Sequence, residues 1–339
     1  MVLVRRRVAP IPPTRGFLAL PQAAPLGKIF WKRSRPSRSI LWKDQALLRV
    51  SDGDSIRIDT APGTDPDTIG VLNLGLALLL AHRGYHLLHA AGLARRGRCA
   101  AILGPPGAGK SSLALAGACR GMEVISDEIV PFRRRAQNFT CPGGNPLIRI
   151  DASRPARWPE PAETALRHAR ATQPGKTKVV LDLTRFRLRC AGGSSRLSLV
   201  LLLGPRLGGR GSSFRLTRLS NAEALLGLLQ STYDRRVQSP VERRRHLSVC
   251  AALARAVPAW RISIRHGIEN VLAAARGIDA LLSRMETGRA HTLGPAQGHV
   301  VRGERIERHA IDLEPGVGLD RAPRVAHAYR QVRRATRTT

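Results

Sequence analysis

Gly104-Pro105-Pro106-Gly107-Ala108-Gly109-Lys110-Ser111 has the residue types and spacing of a loop that cradles phosphate. The glycines let the backbone fold so that successive N–H groups point at one anion. Lys110 would bring a compact positive charge to the outer phosphates, and Ser111 would offer its hydroxyl to Mg²⁺. A helix starting near Lys110, with Ser112 in its first turn, adds an N-terminal dipole to the same place. Beyond that helix, Ser126-Asp127-Glu128 puts two carboxylates at the end of an apolar stretch. Such a pair can hold Mg²⁺ or take a proton from a nucleophile; the plainer reading is an acidic turn that caps the next segment. His89 lies within Leu87-Leu88-His89-Ala90-Ala91. A lone histidine among apolar residues is more often a satisfied core residue than a functional one, so its reading depends on its neighbours.

The elements that would position these groups can be read from the surrounding pattern. Cys99 to Leu103 is a small apolar strand entering the loop, and Ser111 to Arg120 is a helix closed by Gly121. Gly117 inside that helix costs ~1 kcal/mol relative to alanine. Met122 to Ile125 is a second strand ending at the acidic pair, and Leu87 to Ala94 a third carrying His89. Ile40 to Asp59 reads as short strands around a Ser51–Asp54 turn, followed by a helix from Thr68 to about His82. From 140 to 178 the chain reads as loop. Leu197 to Leu203 is an apolar strand ended by Gly204-Pro205. Ser220 to Tyr233 is a capped helix with Glu223 in its first turn. A helix over Val241 to Val257, a strand over Trp260 to Arg265 and a helix over Ile268 to Leu282 follow. The expected organisation is a basic, Pro/Arg-rich extension over 1–39, one α/β domain over 40–283, and a basic tail over 284–339.

These residues resemble the HPr serine kinase/phosphorylase family, as a divergent member of its C-terminal kinase domain type. Leu88 to Gly92, Ile102 to Ala116 and Arg120 to Glu128 follow that family's order, with His89 21 residues before Lys110 and Asp127 17 after it. The resemblance is strong over about 86–132, weaker over about 40–283 and absent from both tails. It implies an α/β fold of the HPr kinase/phosphoenolpyruvate carboxykinase-like type; the basic tails outside it read as poorly structured from their composition. It also implies ATP and Mg²⁺ as cofactors, held by Gly104, Pro105, Pro106, Gly107, Ala108, Gly109, Lys110, Ser111 and Ser112. Asp127 would be the base that deprotonates a serine hydroxyl. Glu128 would join Ser111 in placing Mg²⁺, and His89 would sit near the transferred phosphate. The family's downstream Glu-Arg-Gly-Leu-Gly signature, tied to the reverse reaction, is missing; the stretch here reads Pro142 to Ile150. The resemblance therefore implies a forward kinase acting on a serine of a small protein or peptide, as in relatives found with peptide-modification systems such as those of lasso peptides. Arg149, Lys176 and Lys178 read as surface charge. Family members are often oligomeric, but no interface is visible in the sequence.

The 339 residues carry 56 Lys plus Arg against 24 Asp plus Glu, a formal net charge of +32. A nucleotide-binding protein that engages nucleic acid through its tails is the alternative this charge suggests. Only six of the basic residues are Lys, however, and an arginine excess beside abundant Ala, Gly and Pro is what a GC-rich genome produces. The densest run lies in the first 50 residues, and no nucleic-acid reader motif accompanies it, so nucleic acid is not the expected partner. A non-transferring ATP sensor is a further alternative, opposed by the intact Lys110, Ser111 and Asp127. Five cysteines without a C-x-x-C pair argue against a disulfide framework or structural zinc. The longest apolar run, Val71 to Ala81, is about half of the ~20 residues a spanning helix requires, and the expectation is a cytoplasmic protein without a membrane partner.

Overall fold

The computed structural model describes residues 3–286 apart from 12, 14–17, 20–28, 35–36, 43–44, 52–53, 65–70, 152–157, 172–177 and 234–237. The chain opens with β1 (Leu3–Val8), β2 (Leu18–Ala19), β3 (Ile29–Ser34), β4 (Ser37–Trp42), β5 (Ala46–Ser51) and β6 (Ser55–Thr60). They form one sheet in the order β1-β6-β5-β4-β3-β2, antiparallel except for β1, which runs parallel to β6. The N-terminal extension expected to lack structure thus contributes three strands, and the boundary expected at residue 40 falls inside β4. Sheet pairing satisfies the backbone of this arginine-rich stretch, a long-range effect that no local periodicity reports. Asp59 is buried in the sheet and accepts from Arg49 at 2.8 Å and Arg57 at 3.1 Å. The expected tail is helical to Glu286 in α6, described below; 287–339 lie outside the described residues.

Helix α1 (Val71–His82) is apolar nearly all round because both sides are covered. One side meets β5 and β6, where Gly75 permits a close approach: a Cβ there would lie 3.0 Å from Leu48 and 3.1 Å from Ile56. The other side packs Ala77 and Leu80 against Leu87 and Ile129.

The second sheet holds the sequence motifs. It is built from β7 (His86–Arg95), β8 (Arg98–Leu103), β9 (Glu123–Ser126), β10 (Ile129–Arg135), β11 (Asn138–Pro142), β15 (Ser194–Leu203), β16 (Phe214–Arg218) and β17 (Ala259–Ile264). Its main path is β11-β10-β7-β8-β15-β17-β16, with β9 paired to β7 off that path. β8, β15 and β17 are parallel neighbours, and strands of this kind are buried on both faces. Along β8, Ala100 and Ile102 pack toward α2 (Lys110–Cys119) and α6 (Ile268–Glu286). Cys99, Ala101 and Leu103 pack the other way, toward α4 (Asn221–Gln230) and α5 (Pro240–Ala256). Hence this strand reads as continuously apolar rather than alternating.

The end of α2 follows from its sequence. Gly121, at φ +76°, donates to Ala118 at 2.9 Å, and Met122 donates to Gly117 at 3.1 Å, the paired bonds of a Schellman motif. Gly117 is itself explained by packing. A Cβ there would meet Leu93 at 2.5 Å, so glycine lets the helix lie close on β7. Ser220 and Ser239 cap α4 and α5, each with the reciprocal glutamate, Glu223 and Glu242.

Residues 140–178, expected to be loop-rich, supply two of the three strands of the third sheet, whose central strand begins at Lys178. β12 (Leu147–Asp151), β13 (Arg170–Ala171) and β14 (Lys178–Asp182) pair in the order β12-β14-β13, beside a short helix α3 (Ala162–Arg167). These pieces are too short to show a period of their own, and they gain burial by joining Ile148, Ile150 and Leu181 to the α2 side of the core. The fold is mixed α/β. Among the described residues no disulfide forms, and no helix is long and apolar enough to cross a membrane.

Candidate functional site

Gly104 to Gly109 link the buried end of β8 to α2, and the turn requires positive φ at Gly104, Gly107 and Gly109, at +156°, +79° and +104°. Gly109 stands at the N-cap of α2 and, having no side chain, does not itself cap the helix's first N–H groups. Pro105, Pro106 and Gly107 are exposed, Ala108, Ser111 and Ser112 half-buried, and Lys110 buried. The Lys110 ammonium folds back over the loop, donating to the carbonyls of Gly104 at 2.8 Å and Pro105 at 3.2 Å. Burial lowers its pKa, with Asp127 and Glu128 acting in the opposite direction.

Asp127 and Glu128 join β9 to β10, and their roles diverge at once. Asp127 is buried; its Oδ2 accepts from the Arg149 backbone N–H at 2.8 Å, while its Oδ1 is buried with no hydrogen-bond partner. Burial pushes its pKa up to about 7, although the Arg149 N–H, the Ser111 hydroxyl and the Lys110 charge all favour the carboxylate. Glu128 is half-buried and engaged: its Oε2 accepts from Asn73 at 2.6 Å and from the Arg149 guanidinium at 2.8 Å.

His89 faces the same cluster from β7, where it pairs with Ile129. Its pKa is lowered, first by burial, then by the Lys110 charge; Glu128 acts the other way. Its ring lies 6.3 Å from that of Tyr233. The fold therefore gathers His89, Lys110, Ser111, Asp127 and Glu128 at one end of the second sheet, where β8 runs into the loop.

Three further residues belong to this cluster. Arg149, read as surface charge, holds both acids: alternation along β12 buries Ile148 and Ile150 and turns Arg149 the other way. Asn73 was not singled out; its signal is a polar residue inside the otherwise apolar α1. Arg206, just past Gly204-Pro205 at the end of β15, reaches over the loop and donates to Ala108 O at 3.4 Å. The Lys178 charge is felt by both Lys110 and His89, whereas Lys176 lies outside the described residues.

No family model matches the chain, and no curated protein matches it. Among solved structures, the HPr(Ser) kinase/phosphatase from Coxiella burnetii is a structural neighbour at a TM-score of 0.32 and 14% identity, covering 60% of this chain and 98% of that chain. The similarity is weak.

Proposed function

We propose that the chain is an ATP-dependent phosphotransferase that phosphorylates a serine of a small protein or peptide. The observation that carries this reading is the buried Asp127 carboxylate, held at Oδ2 by the Arg149 N–H, while Oδ1 has no hydrogen-bond partner among the described residues. A carboxylate whose pKa is near 7 is divided between its two forms at neutral pH, which suits a group that must accept a proton and then release it.

Each residue then has a task. The loop N–H groups and the Lys110 ammonium bind the triphosphate, with the α2 dipole supporting them. Arg149 and Asn73 hold Glu128, and the Arg149 N–H fixes Asp127 so that Oδ1 stays free. Oδ1 takes the proton of the acceptor hydroxyl as the serine oxygen bonds to the terminal phosphorus and the bond to the bridging oxygen breaks. His89, kept neutral by burial and Lys110, borders the transferred group. The site's oxygen donors, the Ser111 hydroxyl and the Glu128 carboxylate, suit Mg²⁺, which ordinarily takes one or two carboxylates and leaves its other positions to water and phosphate. Bound there, Mg²⁺ would neutralise charge on the phosphates.

The test is transfer from γ-labelled ATP, in Mg²⁺, to the products of neighbouring genes, comparing wild type with Lys110→Ala and Asp127→Asn. The expected result is label on a serine with wild type, lost on Lys110→Ala together with nucleotide binding, and lost on Asp127→Asn with nucleotide binding retained. Undiminished transfer by Asp127→Asn would overturn the base assignment. Tight ATP binding without transfer to any of these products would favour a sensor.

A further inference from the structure

β8, β15 and β17 run parallel, so the chain leaves all of them at the same end of the second sheet. β8 leaves into the Gly104–Gly109 loop. β15 leaves into a turn over residues 204–213, and β17 leaves into Arg265. The two later exits are stitched together. Gly204 donates to Ile262 O at 2.9 Å and Leu207 to Ile264 O at 3.3 Å, while the Arg265 backbone N–H donates to Ser213 O at 2.9 Å. Gly204 permits this approach, since a Cβ there would meet the Ser263 hydroxyl at 2.6 Å.

The Arg265 side chain closes the turn. Its guanidinium donates to Gly208 O at 3.1 Å and to Ser212 O at 3.2 and 3.4 Å. Between these carbonyls lie Gly209 and Gly211, with φ of +66° and +123°. A turn built on glycines has many conformations open to it, and a planar fork bonded to both limbs selects one. A lysine there would be a point charge on a flexible stem and would fix no plane. Arg206 opens the same turn and is exposed. Its Nη2 lies 3.4 Å from Ala108 O and would be 3.1 Å from a Cβ on Gly109. The guanidinium therefore overhangs the residues just before Lys110. A phosphate oxygen there would give it a charged acceptor in place of a distant neutral carbonyl.

We propose that Arg206, held by Arg265, clamps the phosphate chain of the nucleotide. Arg265 is then a positioning residue on a strand that does not touch β8, acting through the turn that carries Arg206. The proposal rests on the ATP reading above and adds which part of the nucleotide this turn meets: the phosphates, not the base or the ribose.

The test uses the full chain and isothermal titration calorimetry with MgATP and with inorganic tripolyphosphate, which has a phosphate chain but no base or ribose. Arg265→Ala is expected to weaken both ligands about fivefold, and to add less than about twofold in the Arg206→Ala background. Arg265→Lys should recover little of the loss, whereas a side chain that only filled space would be replaced well by a lysine stem. A control, Arg276→Ala, removes an exposed arginine from α6 and should change either affinity less than about twofold. Circular dichroism melts verify folding. If Arg265→Ala fails to fold, Arg265→Gln, which keeps a donor for one limb of the turn, takes its place. Full weakening by Arg265→Ala on top of Arg206→Ala would overturn the positioning role, because Arg265 would then act without Arg206. Weakening of ATP alone, with tripolyphosphate unaffected or not bound by wild type, would overturn the clamp in favour of a base or ribose contact. If wild type and Arg265→Ala bind ATP equally well, the clamp fails and the phosphotransferase reading survives. If wild type binds neither ligand, both fail.

Discussion

His86 and His89 occupy the same strand three residues apart, and both are pushed toward the neutral form, yet their surroundings differ in kind. His89 lies between opposite charges, Lys110 lowering its pKa and Glu128 raising it. His86 has its pKa lowered first by burial and then by His246 and Arg245, with no opposing contribution among the described residues. Around His89, acids and bases interlock: Arg149 is bonded to both Asp127 and Glu128, so removing one group disturbs the others. Around His86 the contact is between two neutral rings, half-buried His86 and buried His246, Nδ1 to Nδ1 at 3.1 Å. A balanced cluster suits proton and phosphoryl movement, where charge must be created and cancelled locally. A neutral, shielded pair suits packing.

The strongest way to break this contrast is Asp127→Asn. Loss of a positioned base is expected to slow transfer by about 10²–10⁴-fold. With wild type, transfer should rise with pH and level off above about 7, because burial holds the Asp127 pKa there. The slow variant should lack that step. The same burial has a stability consequence of opposite sense. The folded state keeps a proton that the unfolded chain has already lost above its value of 3.8. The stability this gives is full below that value and is lost as pH rises through about 7. Asp127→Asn should therefore gain in Tm relative to wild type as the pH goes from 5 to 8. A constant Tm difference across that range would show that Asp127 is not held protonated.

On the other side of the contrast, His246 offers a smaller effect. It is buried in α5, with Nε2 at 2.9 Å from the Thr232 hydroxyl and 3.4 Å from the Cys250 sulfur. Its pKa and that of His86 are lowered to about 4, so their contribution is present above the unfolded value near 6.5 and lost as pH falls through about 4. The pair therefore adds acid sensitivity across that window. His246→Gln should flatten the fall in unfolding free energy between pH 7 and pH 5, measured by urea denaturation, even though it starts less stable. An unaltered slope would mean that the pair is solvated rather than packed as a neutral couple.

The two clusters were unequally legible in the sequence. Lys110, Asp127 and His89 stood out because local spacing sets them: strand, loop, helix and strand follow one another with no long excursion. Gly121 and the Ser220–Glu223 pair were legible for the same reason, since a cap is chosen by residues within one turn. Arg149, Asn73 and Arg206 were not, because each reaches the cluster from a different element and only tertiary packing turns it there. β1 and β3 were hidden likewise: paired strands explain the backbone of an arginine- and proline-rich segment, while its composition suggested a solvated chain.

Arg206 gives the smallest expected effect and the finest test of the contrast, since it is an arginine on the balanced side. β15 runs parallel to β8, with Leu202 beside Leu103, so the chain leaves both strands at the same end of the sheet. Arg206 lies so close over the loop that a Cβ on Gly109 would come within 3.1 Å of its Nη2. Among the described residues its hydrogen bond is the long one to Ala108 O, a contact that a phosphate oxygen would outcompete by offering a charged acceptor. Arg206→Ala is expected to weaken ATP binding about three- to tenfold, Arg206→Lys less, because lysine keeps the charge without the planar fork. Unchanged ATP affinity in Arg206→Ala would show that this arginine does not reach the phosphates and that the loop and Lys110 hold them unaided.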